Sequence, residues 1–162
     1  MRRLLLTRHA KSDWSTEAPD DHARPLNKRG RRDAPRVGAL VQSLGWRPEL
    51  VLCSSAQRAL ETLSGLNAAW DVQPDVQILP SLYHAGADAA RAALATVPDG
   101  VTTVMLIGHN PGWEEALTAL CGARETLPTA SVAMMQRDDE TAWAGRAGFE
   151  LVRVLRPRVD LG

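Results

Sequence analysis

Three short apolar runs, at residues 4–7, 50–53 and 101–107, constrain this chain more than any other feature. A strand with one wet face alternates apolar and polar positions. A run that is apolar at nearly every position belongs to a strand covered on both faces, as in a parallel sheet flanked by helices. The segments between these runs carry helical spacing. Ala34, Val37, Gly38, Val41 and Leu44 recur at three- and four-residue intervals after Asn27, a natural N-cap, which predicts a helix over residues 28–44 ended by Gly45. Ser54 and Ser55 open a second helix carrying Ala59, Leu60, Leu63, Leu66 and Trp70. Residues 76–79 read as a further strand, the alanine-rich stretch 88–97 as a helix, and Pro111 as the first turn of a helix through Leu120 stopped by Gly122. Two strand-like runs at 131–136 and 149–156 flank the polar turn 137–140 and are expected to pair as a hairpin. The expected fold is a three-layer α/β/α sandwich around a mostly parallel sheet with an antiparallel C-terminal strand, in one domain over residues 1–162.

Composition narrows the function. Nineteen basic and nineteen acidic side chains cancel, which argues against a nucleic-acid coat or a polybasic membrane surface. The balance is uneven: residues 1–50 carry eleven Lys/Arg against six Asp/Glu, and residues 51–162 carry eight against thirteen. Seventeen of the nineteen cations are arginine, the side chain that grips tetrahedral anions through two parallel hydrogen bonds. Two cysteines, Cys53 and Cys121, are too few for a disulfide framework and sit in apolar stretches as free thiols. The apolar start is cut short by Thr7-Arg8-His9, far below the length of a signal peptide or bilayer span, and a cytoplasmic location is expected.

In such a sheet, ligands bind beyond the carboxyl ends of the strands. Here the first strand runs into Arg8 and His9, the second into Ser54, Ser55 and Arg58, and the third into Gly108, His109 and Asn110. Three exits thus deliver two arginines and two histidines toward one region, and two of them lead into helix N-termini, whose free N–H groups favour anions. An oxyanion site is predicted. The four histidines do not form a zinc set, because no pair stands at i, i+4 and no Cys-x-x-Cys or His-Glu-x-x-His element is present.

The run Thr7-Arg8-His9-Ala10-Lys11-Ser12-Asp13-Trp14 resembles the Arg-His-(Gly/Ala) signature of the histidine phosphatase superfamily. Arg24-Pro25-Leu26-Asn27-Lys28-Arg29-Gly30, Ser54-Ser55-Ala56-Gln57-Arg58-Ala59-Leu60-Glu61-Thr62 and Gly108-His109-Asn110-Pro111 come in the order that family shows. The short chain, the Arg-His-Ala-Lys variant and Pro128-Thr129-Ala130-Ser131 resemble its SixA-type phosphohistidine phosphatase branch. The resemblance implies that His9 is the nucleophile that takes and then loses a phosphoryl group. It implies that Arg8 and Arg58 clamp the phosphoryl oxygens, and that His109 donates a further hydrogen bond. It also implies chemistry without a metal or other cofactor, the arginines supplying the positive field.

Where family members that release alcohols carry an acidic proton donor, this chain reads Leu79-Pro80-Ser81-Leu82-Tyr83-His84-Ala85-Gly86-Ala87-Asp88, with no Glu. His84, Asp88, Asp13, Asp20 and Asp21 are candidates for the missing acid. Phosphohistidine loses its phosphoryl group more readily than an alkyl phosphate, so the expected substrate is a phosphohistidine-bearing protein. A small phosphomonoester is the alternative, and a non-catalytic phosphate- or phosphohistidine-binding module is another. His22 and His84 read as surface groups, Arg24 as a pocket-border residue or a partner of Asp20 or Asp21, and Trp14 as a pocket wall. The basic run Lys28, Arg29, Arg31, Arg32 and Arg36 reads as a solvated helix face.

Overall fold

The computed structural model describes residues 1–15, 17–138, 142–144 and 148–161. Its centre is a six-stranded sheet made of β1 (Arg2–Arg8), β2 (Leu50–Ser54), β3 (Asp75–Leu79), β4 (Thr103–Gly108), β5 (Val132–Arg137) and β6 (Glu150–Leu155), in the order β3-β2-β4-β1-β5-β6. β1, β2, β3 and β4 run parallel. β5 lies antiparallel to β1, and β6 is antiparallel to β5, so the last strand returns to the parallel direction. The antiparallel character expected at the C-terminal end therefore belongs to β5. Part of the turn assigned to residues 137–140 lies outside the described residues.

Both faces of the sheet are covered, which is why β1, β2 and β4 are apolar almost throughout. Leu5, Val51, Cys53, Met105 and Ile107 point into one core with α1 (Lys28–Ser43) and α2 (Gln57–Ala68). Leu4, Leu6, Leu52, Val104 and Leu106 point into the other, with α3 (Ala87–Leu94) and α4 (Gly112–Cys121). Asn27 caps α1 by accepting from the Gly30 N–H at 2.9 Å, as its side chain predicts. α4 ends on Gly122 in the left-handed conformation.

The elements differ from their sequence outlines mainly at the ends. α2 begins at Gln57 without a side-chain cap, and Trp70 lies past its last residue, its indole N–H donating to the Gly38 carbonyl at 2.9 Å. Pro111 stands just before α4 as its N-cap, after a cis Asn110–Pro111 bond. A 3-10 turn, η1 (Pro80–Leu82), and a short helix, α5 (Pro157–Asp160), are too brief to carry a periodic signal. Cys53 is buried and Cys121 half-buried, and both are free.

Candidate active site

The parallel register sets the site. Thr7 pairs with Ile107 and Arg8 with Gly108, while Cys53 pairs with Ile107 on the other side. The residues beyond these pairs therefore emerge side by side from one edge. The His9 and His109 ring centroids stand 5.1 Å apart, close to the ~4.8 Å spacing of neighbouring strands. The main chain of His9 is held at both ends, its N–H donating to the Gly108 carbonyl and its carbonyl accepting from Ala130 N–H. Gly108 has no room for a side chain, since a Cβ there would lie 2.6 Å from the Trp113 ring. That indole N–H donates to the Thr7 carbonyl at 3.0 Å, seating α4 against the end of β1.

Both imidazoles are almost wholly buried, His9 at 6% exposure and His109 at 4%. Burial pushes His9 down to about 3; the Ala10 carbonyl opposes this and His109, Arg58 and Arg8 add to it. His109 also falls to about 3, first through burial and then through the Arg58 charge. Two neutral imidazoles thus face each other across a positively charged floor. Nδ1 of His9 lies 2.7 Å from the Ala10 carbonyl, which can only accept, so the ring carries its proton there and leaves the Nε2 lone pair free. Nε2 of His109 pairs with Ser54 Oγ at 2.8 Å, and its buried Nδ1 has no partner among the described residues.

The two arginines approach from different elements. Arg58, 4% exposed in the first turn of α2, donates through Nη1 to the Asp21 carbonyl at 2.7 Å and through Nη2 to its carboxylate at 3.0 Å. Arg8, at the end of β1, donates to the Leu127 carbonyl at 2.9 Å; burial lowers its pKa, the nearby Glu114 carboxylate opposing. Asn110 donates to the same carbonyl at 2.9 Å, and Glu114 accepts from Leu127 N–H at 2.7 Å. Thr62 links the His9 and Arg58 segments, accepting from Ala10 N–H at 2.9 Å and donating to the Arg58 carbonyl at 2.7 Å.

The structure thus brings Arg8, His9, Arg58 and His109 to one end of the sheet. Arg24 satisfies both expectations: it is buried beside the site, pairs with the Asp21 carboxylate at 2.9 Å, donates to Ser12 and stacks over Trp14. Trp14 does not form a buried wall; 73% exposed, it stands on the rim with its ring against that guanidinium. His22, expected at the surface, is half-buried and within 2.9 Å of Ser55 Oγ. Among the acid candidates, Asp21 alone is seen to knot the site together. It accepts from Tyr83 OH at 2.5 Å besides the two arginines, and these contacts, the tyrosine's first, hold its carboxyl far below the usual carboxylate range. Ser54, which ends an apolar strand at one of the predicted exits, joins the site through His109, whereas Thr62, Tyr83 and the Leu127 carbonyl join it only through three-dimensional neighbours. Among the described residues no helix is long and apolar enough to cross a membrane, and no cluster of three or more His, Cys, Asp or Glu is placed to hold a metal ion.

Comparison with known proteins agrees with this architecture. A family model described as the histidine phosphatase superfamily (branch 1) matches residues 4–85. An uncharacterized chloroplastic protein of Arabidopsis thaliana is 37% identical over 96% of this chain and 78% of its own length. A Nakamurella multipartitia structure assigned to phosphohistidine phosphatase SixA is 28% identical, with a TM-score of 0.84 over 96% of both chains. One from Agrobacterium tumefaciens with the same assignment is also 28% identical, with a TM-score of 0.82 over 96% of this chain and 98% of that one.

Proposed function

As the chain belongs to the histidine phosphatase superfamily, in its SixA-type branch, we propose that it hydrolyses protein-borne phosphohistidine through a phosphoryl intermediate on His9. The observation that carries this reading is the buried, neutral His9 ring, with Nδ1 committed to Ala10 and Nε2 free, 5.1 Å from His109 and flanked by Arg8 and Arg58. Nε2 attacks phosphorus. The bond to the leaving atom breaks and its electron pair departs with that atom. Water then attacks the phosphoryl group from the opposite side, and the P–N pair returns to Nε2. Splitting one displacement into two is covalent catalysis.

Arg8 and Arg58 hold the equatorial oxygens. His109 Nε2 pairs with Ser54 Oγ, and with the hydroxyl as donor that ring's proton sits on Nδ1, the unpartnered atom that would donate to a phosphoryl oxygen as charge shifts. Guanidinium groups supply the positive field in this scheme, and no step is routed through a metal ion. The exposed Trp14 and His84 side chains on the rim favour a phosphoryl group presented by a macromolecule over an enclosed metabolite.

The test is to incubate the protein with a histidine-phosphorylated protein and with p-nitrophenyl phosphate, quench in alkali, which preserves phosphohistidine, and locate the label. A phosphoryl group on His9, turnover of both substrates and loss of both in His9→Ala are expected. Turnover that survives His9→Ala refutes the mechanism. Turnover of the aryl phosphate alone refutes the protein substrate.

A further inference from the structure

Asp21, the acid candidate best placed in the site, is held ionised by Tyr83, Arg24 and Arg58, and a group without a proton cannot donate one. The donor must then be sought among its neighbours, and His84 is one of them. It comes after the 3-10 turn η1 and adopts φ of +54°, a left-handed conformation uncommon for a residue with a side chain. The segment behind it is pressed onto the start of α4, where a Cβ on Gly112 would lie 1.7 Å from the Ala85 carbonyl oxygen. The imidazole stands at the mouth with its side chain 68% exposed.

The surroundings of this ring are specific. His84 and His109 line the same cavity of about 280 Å³, with Asn110 and Glu115 on its walls. The Tyr83 ring lies 3.9 Å from His84 and meets His109 edge-on at 5.5 Å. Nε2 of His84 is 4.0 Å from the Asp21 carboxylate, which also touches Arg58. The charged and titratable groups facing His84 are thus Asp21 from the loop, Arg58 from α2, His109 and Glu115 from the α4 side, and Tyr83 beside it. Imidazole is the side chain suited to giving and regaining a proton at neutral pH.

We infer that His84 is a catalytic acid and base: it protonates the leaving group and later accepts a proton from the attacking water. This rests on the phosphatase reading above. In the first step the bond from phosphorus to the leaving nitrogen or oxygen breaks, its electron pair stays on that atom, and a ring proton of His84 neutralises it. In the second, water adds to phosphorus, the P–N pair returns to His9, and the water's proton restores the His84 cation. Atoms and charge balance over the cycle, and the exposed ring can also exchange its proton with solvent.

The experiment compares wild type and His84→Gln on p-nitrophenyl phosphate, whose leaving group departs as a stable anion, and on phenyl phosphate, whose poorer leaving group needs a proton. For phenyl phosphate kcat/KM, which reports the steps up to departure of the leaving group, should fall about 100-fold, the usual scale of general acid catalysis, and for p-nitrophenyl phosphate it should fall far less. A circular dichroism melt that matches wild type shows that the variant is folded. In His84→Gly, which suits the left-handed backbone, added imidazole should restore phenyl phosphate turnover. A loss in kcat/KM equal for both substrates, or no loss, overturns the assignment while leaving the His9 mechanism standing. Failure of wild type to become labelled on His9 overturns both.

Discussion

Holding two neutral imidazoles out of water has a measurable cost in acid. In the unfolded chain each titrates near 6.5, whereas in the folded protein His9 and His109 are both pushed down to about 3. Between those values the unfolded state binds a proton that the native state refuses, so the stability these rings contribute is complete above pH 6.5 and is lost as pH falls toward 3. At pH 5 the linkage relation gives a loss of about 2 kcal/mol for each ring relative to pH 8, or about 4 kcal/mol for the pair. Neither ring is exposed enough for solvent screening to reduce this. Asp21, whose carboxyl is shifted by contacts that favour its charged form, loses its contribution only below the ordinary carboxylate range and does not enter the comparison. Urea denaturation of wild type and His9→Asn at pH 8 and pH 5 reads the effect. The drop on acidification should shrink from about 4 to about 2 kcal/mol in the variant, which keeps a polar side chain but has no proton to bind. An equal drop in both proteins would refute the claim that His9 is held neutral by burial.

Two further outcomes are expected from the same contacts. Arg58→Lys replaces a planar fork with a point charge, and kcat/KM for p-nitrophenyl phosphate should fall about 100-fold, on the scale of losing one preorganised donor; a fall below about tenfold would remove Arg58 from the phosphoryl clamp. The Cys53 thiol is pushed up to about 12 by burial, so it carries no thiolate at pH 8. Titration with a disulfide reagent should leave Cys53 unlabelled until denaturant is added, and labelling of both cysteines in the folded protein would contradict the packing.

The residues that declared themselves in the sequence are those whose role is set by chain order. Apolar runs at 4–7, 50–53 and 101–107 are strands because nothing else buries both faces, and the residues just after each run lie at the same edge because parallel strands share a direction. That logic reaches Arg8, His9 and His109 directly, and Arg58 one helical turn later. It stops at Asp21. A loop with acids at 13, 17, 20 and 21 gives no sign of which one will meet Arg58, because that choice depends on how the loop closes over α2. His84 reads as a surface group for a similar reason: its exposure is legible, but its position beside Asp21 and over the cavity shared with His109 is not. Helix ends mislead where side-chain signals are weak, as at α2, whose start at Gln57 has no capping side chain.

Buried Thr62 has its hydroxyl fully engaged, receiving the amide that comes after His9 and giving its own proton to the carbonyl of Arg58. The main chains of His9 and Arg58 are thereby fastened to a common strut, while Ala10 and Asp21 hold the two side chains upon it. A helix sliding by a fraction of an ångström would carry the main chains of Arg58 and His9 in the same stroke, so the spacing of these two residues is a property of two backbones moving as one.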